Sequence, residues 1–99
     1  MTEEQKEQRR QALTRSGGVC AVCGGPLNQY GTPQYAHKIA NTEPNRRKYG
    51  TFFVDHFLNG EYVCSLACNN SCNIGFNRGK VLELLIDILL YESKKTGEI

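Results

Sequence analysis

Five cysteines in a chain of 99 residues fall into two groups, Cys20 and Cys23 in VCAVCGGP and Cys64, Cys68 and Cys72 in VCSLACNNSC. Thiolates are soft ligands that suit zinc, and a structural zinc site takes four of them in a tetrahedron. Cys20 and Cys23 supply two, and Gly24-Gly25 behind them lets the backbone turn tightly. The other two come from a downstream trio spaced four apart, a spacing that lines one face of a helix. One thiol is therefore spare. A knuckle followed by a helix takes its third ligand just before the helix and its fourth in the first turn, which favours Cys64 and Cys68. Cys68 with Cys72 is the competing register. A disulfide framework fits less well, because Met1 to Thr14 is a charged segment unlike a secretory leader, and the chain is expected to be cytoplasmic.

His37, in QYAHKI, is suited to proton transfer near neutral pH. Asn69 follows Cys68 directly and Asn73 comes four residues later. On one helix the two amides would share a face turned about 100° from the cysteines. Zinc would then hold a strand bearing His37 against a helix carrying amide oxygens, which are hard ligands for a divalent ion.

These residues need elements to position them. Thr2 to Thr14 has helix-forming composition and stops at Gly17-Gly18, so residues 1–18 form an N-terminal helix with a mostly polar face. Mixed charge of this kind reads as solvated, with Arg9, Arg10 and Arg15 able to touch a polyanion. Residues 19–79 form the zinc-bound core. Gln34 to Ile39 is a strand, Asn41 to Gly50 a basic exposed loop, Glu61 to Val63 a second strand, and Ser65 to Phe76 a helix, giving a ββα order.

Residues 80–99 form a C-terminal helix and tail. Val81, Leu84, Leu85, Ile88 and Leu89 lie at core-facing spacing, and Leu82, Ile86 and Leu90 make a second apolar strip. A domain this small buries little surface, so one strip is expected to meet a partner, most simply a second copy in a homodimer. The run from Val81 to Tyr91 contains Glu83 and Asp87 and is far shorter than the roughly 20 residues of a membrane span. Net charge is only +2, so any contact with nucleic acid depends on the local basic residues Arg46, Arg47, Lys48, Arg78 and Lys80.

The succession CAVC, QYAHKI, a basic stretch ending KYG, and DHFLNGEYVCSLACNNSCNIG resembles the HNH, or ββα-metal, endonuclease superfamily. More narrowly it resembles a small phage-type branch with an AHRI-like first motif and a CSLxCN second motif. The similarity runs from about Cys20 to Gly75. It implies an α+β fold, a zinc-stapled ββα-metal core with flanking helices. It also implies hydrolysis of DNA phosphodiester bonds with a catalytic Mg²⁺ or Mn²⁺ while zinc stays structural. By the same resemblance His37 is the general base, Asn69 ligates the catalytic ion, and Asn59, three after His56, orients the first-strand histidine. Many members carry an acidic residue directly before the base histidine, where this chain has Ala36. Asp55 and His56 are the expected substitutes and Asn73 a further one.

Two other classes compete with the enzyme. A zinc-stabilised nucleic-acid-binding or assembly module would keep the fold without catalysis, and Ala36 is the residue that favours it. A thiol redox pair at CAVC would need a thioredoxin-like βαβ setting, which the surrounding sequence lacks.

Overall fold

Thr2 starts the first helix, α1 (Glu3–Ser16), through a reciprocal cap: its hydroxyl accepts the Gln5 N–H and the Gln5 amide oxygen accepts the Thr2 N–H. Gly17 ends it in the left-handed conformation, with φ 64°. The computed structural model describes residues 1–75 and 77–97. Although its composition is polar, α1 is docked rather than freely solvated. Ala12 is buried, the Gln8 Oε1 accepts the Phe57 N–H at 2.7 Å, and the Gln5 Nε2 donates to Asp55 Oδ2 at 3.2 Å.

Strands β1 (Gln34–His37) and β2 (Gly60–Val63) pair antiparallel, from Gln34 opposite Val63 to His37 opposite Gly60. A short helix follows β2. Between the strands the chain makes α2 (Glu43–Tyr49), α3 (Thr51–Asp55) and a 3₁₀ turn at Phe57–Asn59, and after β2 come α4 (Leu66–Asn70) and α5 (Arg78–Thr96). The molecule is thus a small α+β chain with a two-stranded sheet.

Three elements differ from the sequence reading. The basic stretch expected as a loop is helix α2, begun by Thr42, whose hydroxyl accepts the Asn45 N–H, with Pro44 in the first turn. The helix expected from Ser65 stops at Asn70 instead of continuing to Phe76, a residue outside those described. The Ser71 hydroxyl donates to the Cys68 carbonyl at 2.8 Å and competes with the helical ladder, and Asn73 Oδ1 then accepts the Gly75 N–H at 2.7 Å to make a turn. Asn69 and Asn73 therefore do not share a helical face. Finally, Leu89 is exposed, and among the described residues of α5 the buried ones are Val81, Leu84 and Ile88. The next turn of that face is occupied by Glu92, which binds His56.

Two apolar clusters flank the sheet and its connection. Ala36 and Val63 pack with Leu27, Cys20, Cys64 and Cys72, and Ile39 packs with Val81, Leu84 and Ile88. Leu82, Ile86, Leu89 and Leu90 remain as an exposed strip along α5. Among the described residues no helix is long and apolar enough to cross a membrane.

Asn59 joins the parts. Its fully buried amide accepts the Ile39 N–H at 2.8 Å and donates to the carbonyls of Ile39 at 3.1 Å and Val54 at 2.9 Å. Truncating it orphans buried backbone groups, each worth about 1–3 kcal/mol. Asn59→Ala is expected to lower the urea midpoint with an unchanged slope. An unaltered midpoint would mean that these three bonds contribute nothing net.

Candidate functional site

The knuckle is built by backbone. Val19 and Pro26 form an isolated antiparallel bridge, the Cys20 N–H donates to the Gly25 carbonyl at 2.8 Å, and Gly24 turns the chain at φ 76°. The second pair is set by β2 and α4. Cys64 lies just past the strand, and Cys68 is in the first turn of α4, where its N–H is capped by the Ser65 hydroxyl at 3.2 Å. The four sulfurs of Cys20, Cys23, Cys64 and Cys68 lie within 4.8 Å of one another, positioned to bind a metal ion and consistent with structural zinc.

The surroundings of Cys20 favour that use. Burial opposes ionisation of Cys20, but the backbone N–H groups of Cys23, Val22 and Cys64 outweigh it and hold the thiol below its ordinary range. The Gln29 Nε2 points its N–H groups at Cys64 Sγ, 3.2 Å away, and at Cys23 Sγ, 3.7 Å away. Such a donor orients and stabilises thiolate ligands from behind. Gln29 carries no spacing signal in the sequence, because it acts from a turn outside either cysteine motif.

Cys72 lies outside the cluster. Its thiol donates to Glu61 Oε2 at 3.4 Å, and burial followed by the neighbouring Glu61 carboxylate pushes it up to about 12. It stays protonated.

His37 ends β1 on the opposite side of the sheet from the cysteines. Alternation along the strand sends Ala36 into the cysteine cluster and leaves Tyr35 and His37 facing α1, with their rings edge-to-face at 5.2 Å. Gly60 makes room for this. A Cβ at that position would overlap the Tyr35 hydroxyl. The resulting pocket, about 140 Å³, is lined by Gln5, Arg9, Tyr35, His37, Asn41 and Asp55, among others. Burial first, then the positive charge of Arg9, depresses the His37 pKa below its ordinary 6.5; Asp55 opposes this and Arg46 adds to it. The imidazole is neutral at pH 7.

The remaining candidates scatter. Asp55 reaches the His37 pocket, but its carboxylate is bidentate with Arg46 and also accepts from Gln5. Asn59 does not touch the His37 ring. It holds the chain directly after it, through Ile39 and through its own carbonyl, which accepts the Lys38 N–H at 2.8 Å.

Asn69 donates to Gln34 Oε1 at 3.1 Å, at the start of β1 and on the face opposite His37. The strand separates the two by roughly 10 Å. Asn73 is closer to the end of β1, since the adjoining Ile74 N–H donates to the Lys38 carbonyl at 2.9 Å.

His56 is in the core, 2% exposed. Its Nδ1 accepts the Leu58 N–H, so Nε2 carries the proton and donates to Glu92 Oε1 at 2.7 Å. Both nitrogens are committed to structure. Of the basic residues, Arg46 is consumed by Asp55, Arg47 pairs with Glu43 and Lys48 lies 5.3 Å from the Tyr49 ring centre, while Arg78 and Lys80 are exposed at the start of α5.

This arrangement separates the two cysteines in dispute. Cys64→Ser is expected to release bound metal and unfold the domain, whereas Cys72→Ser should keep one metal per chain and a nearly native melting curve. Metal content by atomic absorption, read beside circular dichroism, checks it, and the reverse pattern would assign the fourth ligand to Cys72. No family model, curated protein or solved structure matches this chain.

Proposed function

We propose that the chain is a zinc-stabilised HNH-type endonuclease that hydrolyses DNA phosphodiester bonds, with His37 as its general base. The observation that carries this reading is a neutral histidine at the end of the first strand of a ββα unit. The backbone beyond that histidine is clamped by a buried asparagine, and the unit is closed by four thiols. A neutral imidazole beside a pocket accepts a proton from water as that water attacks phosphorus.

Zinc fits its residues, since the four thiols converge and two are further supported by Gln29. Bound there, it would supply the cross-link that holds the knuckle to β2 and α4. The donors expected to hold Mg²⁺ or Mn²⁺ do not converge in the same way. Asp55 is neutralised by Arg46, Asn69 is bonded to Gln34 across the sheet, and Ala36 offers no ligand. Ligation by Asp55 would require it to leave Arg46.

That mismatch also favours a second reading, a zinc-stabilised module that binds nucleic acid without cleaving it. Plasmid nicking separates the two. With Mg²⁺, Mn²⁺ or Ni²⁺ supplied in turn, the wild type should convert supercoiled to relaxed plasmid and His37→Ala should be slower by about 10²–10⁴-fold. Because burial and Arg9 depress the His37 pKa, the general base stays active as pH falls through 6.5, and the acid limb of the rate lies below that value. A wild type that shifts DNA on a gel but nicks none of it in any metal would establish the binding module instead.

A further inference from the structure

We propose that Arg9, on α1, is the phosphate-binding residue of the His37 pocket, so that the N-terminal helix completes the site; the assignment of that phosphate to DNA rests on the nuclease reading. Arg9 is set apart from the other cations of its neighbourhood. Arg46 is tied to Asp55, Arg10 to Glu7, Arg47 to Glu43 and Lys38 to Glu61. Among the described residues, the Arg9 guanidinium has only the Tyr35 ring, 4.6 Å from the ring centroid.

The platform fixes the charge in place. Tyr35 is two residues before His37 on the same strand face, its ring meets the His37 ring, and Arg9 lies against it. Stacking over an aromatic ring leaves the in-plane N–H fork of a guanidinium free to donate. That fork matches two oxygens of a phosphate. Around it the pocket adds neutral donors, the side-chain amides of Gln5 and Asn41, while Asp55 is already balanced by Arg46. Among the side chains that line the pocket, the unbalanced charge is one positive guanidinium, and a phosphodiester carries one negative charge. Where a divalent ion's ligands fail to converge, an arginine is the group here that can offset charge on the phosphate.

The docking of α1 serves this placement. Ala12 is buried against the core, Gln8 binds the Phe57 N–H and Gln5 binds Asp55, three anchors along the helix that carries Arg9. A merely solvated helix would need none of them.

A test independent of cleavage uses the ring signals of the two histidines, His37 and His56. The charges that act on His37 are Arg9 from α1, Arg46 from α2 and Asp55 from α3, and the Tyr35 ring packs beside it on β1. Inorganic phosphate should raise the His37 pKa in the wild type and leave His56 unmoved, because His56 is bonded to Glu92 in the core. In Arg9→Gln the His37 response to phosphate should vanish, with melting temperature and metal content unchanged, and Arg9→Lys should restore part of it. A short oligonucleotide in place of phosphate should give the same dependence on Arg9. If the wild type nicks plasmid, Arg9→Gln should raise KM by about 10- to 100-fold, with a smaller loss in kcat. A phosphate response equal in wild type and Arg9→Gln would overturn the inference while leaving the nuclease reading intact. A response lost in Arg9→Gln, in a wild type that never nicks DNA, would support the site and sink the nuclease.

Discussion

Four sulfurs within 4.8 Å of one another are what the rest of this chain is arranged around. Cys23 and Cys64 are 41 residues apart, and their side chains meet at 3.5 Å. Closing a loop of that length is entropically costly, and a two-stranded sheet with two small apolar clusters recovers little of that cost. A metal bound at the closure point adds its binding free energy to folding. Such a tie would also account for the short elements. β1 and β2 have four residues each and α4 five, lengths that would not persist alone but suffice when both ends are pinned.

A second constraint begins where the first ends. The cysteine cluster fixes β2 and α4, but the connection from His37 to Gly60 passes through two helices and a turn outside its reach. Asn59 holds that connection by bonding Ile39 on one side and Val54 on the other, so the segment leaving β1 and the segment entering β2 share one buried side chain. Residues that act this way are legible only through the resemblance, since a lone asparagine has no spacing to betray it. The resemblance named Asn59 for orienting His37; the structure shows a hold on the backbone beyond His37, with no contact to the ring.

The cysteine spacing was readable because ligand geometry tolerates few arrangements. A thiol before a helix and another in its first turn leave Cys72 in the wrong place, and it is found bonded to Glu61 instead. The strands were readable within two residues. By contrast, the length of α4 depended on the Ser71 hydroxyl taking the Cys68 carbonyl, a local competition that propensity does not resolve. Helix α2 had its signal in Thr42 and Pro44, outweighed by the run of basic residues around it. The role of His56 turned on a partner 36 residues away, Glu92, and no local pattern announces a pair of that kind.

The sheet divides the molecule by chemistry. Its Ala36 face belongs to the thiols and its Tyr35 and His37 face to α1, and alternation along one four-residue strand is enough to keep them apart. A one-residue slip of β1 would exchange the faces, placing His37 among the thiols and Ala36 in the pocket. Register is thus the quantity on which both sites depend. It is set on one face by burying Ala36 and Val63, and on the other by the fit of the Tyr35 ring over Gly60, where any larger residue would collide with its hydroxyl. The bareness of Ala36 then has a structural sense. An acidic side chain there would enter the cluster of Cys20, Cys64 and Leu27, where desolvation would oppose its charge. The His37 side of the sheet is consequently where the charge for any phosphate chemistry has to be supplied.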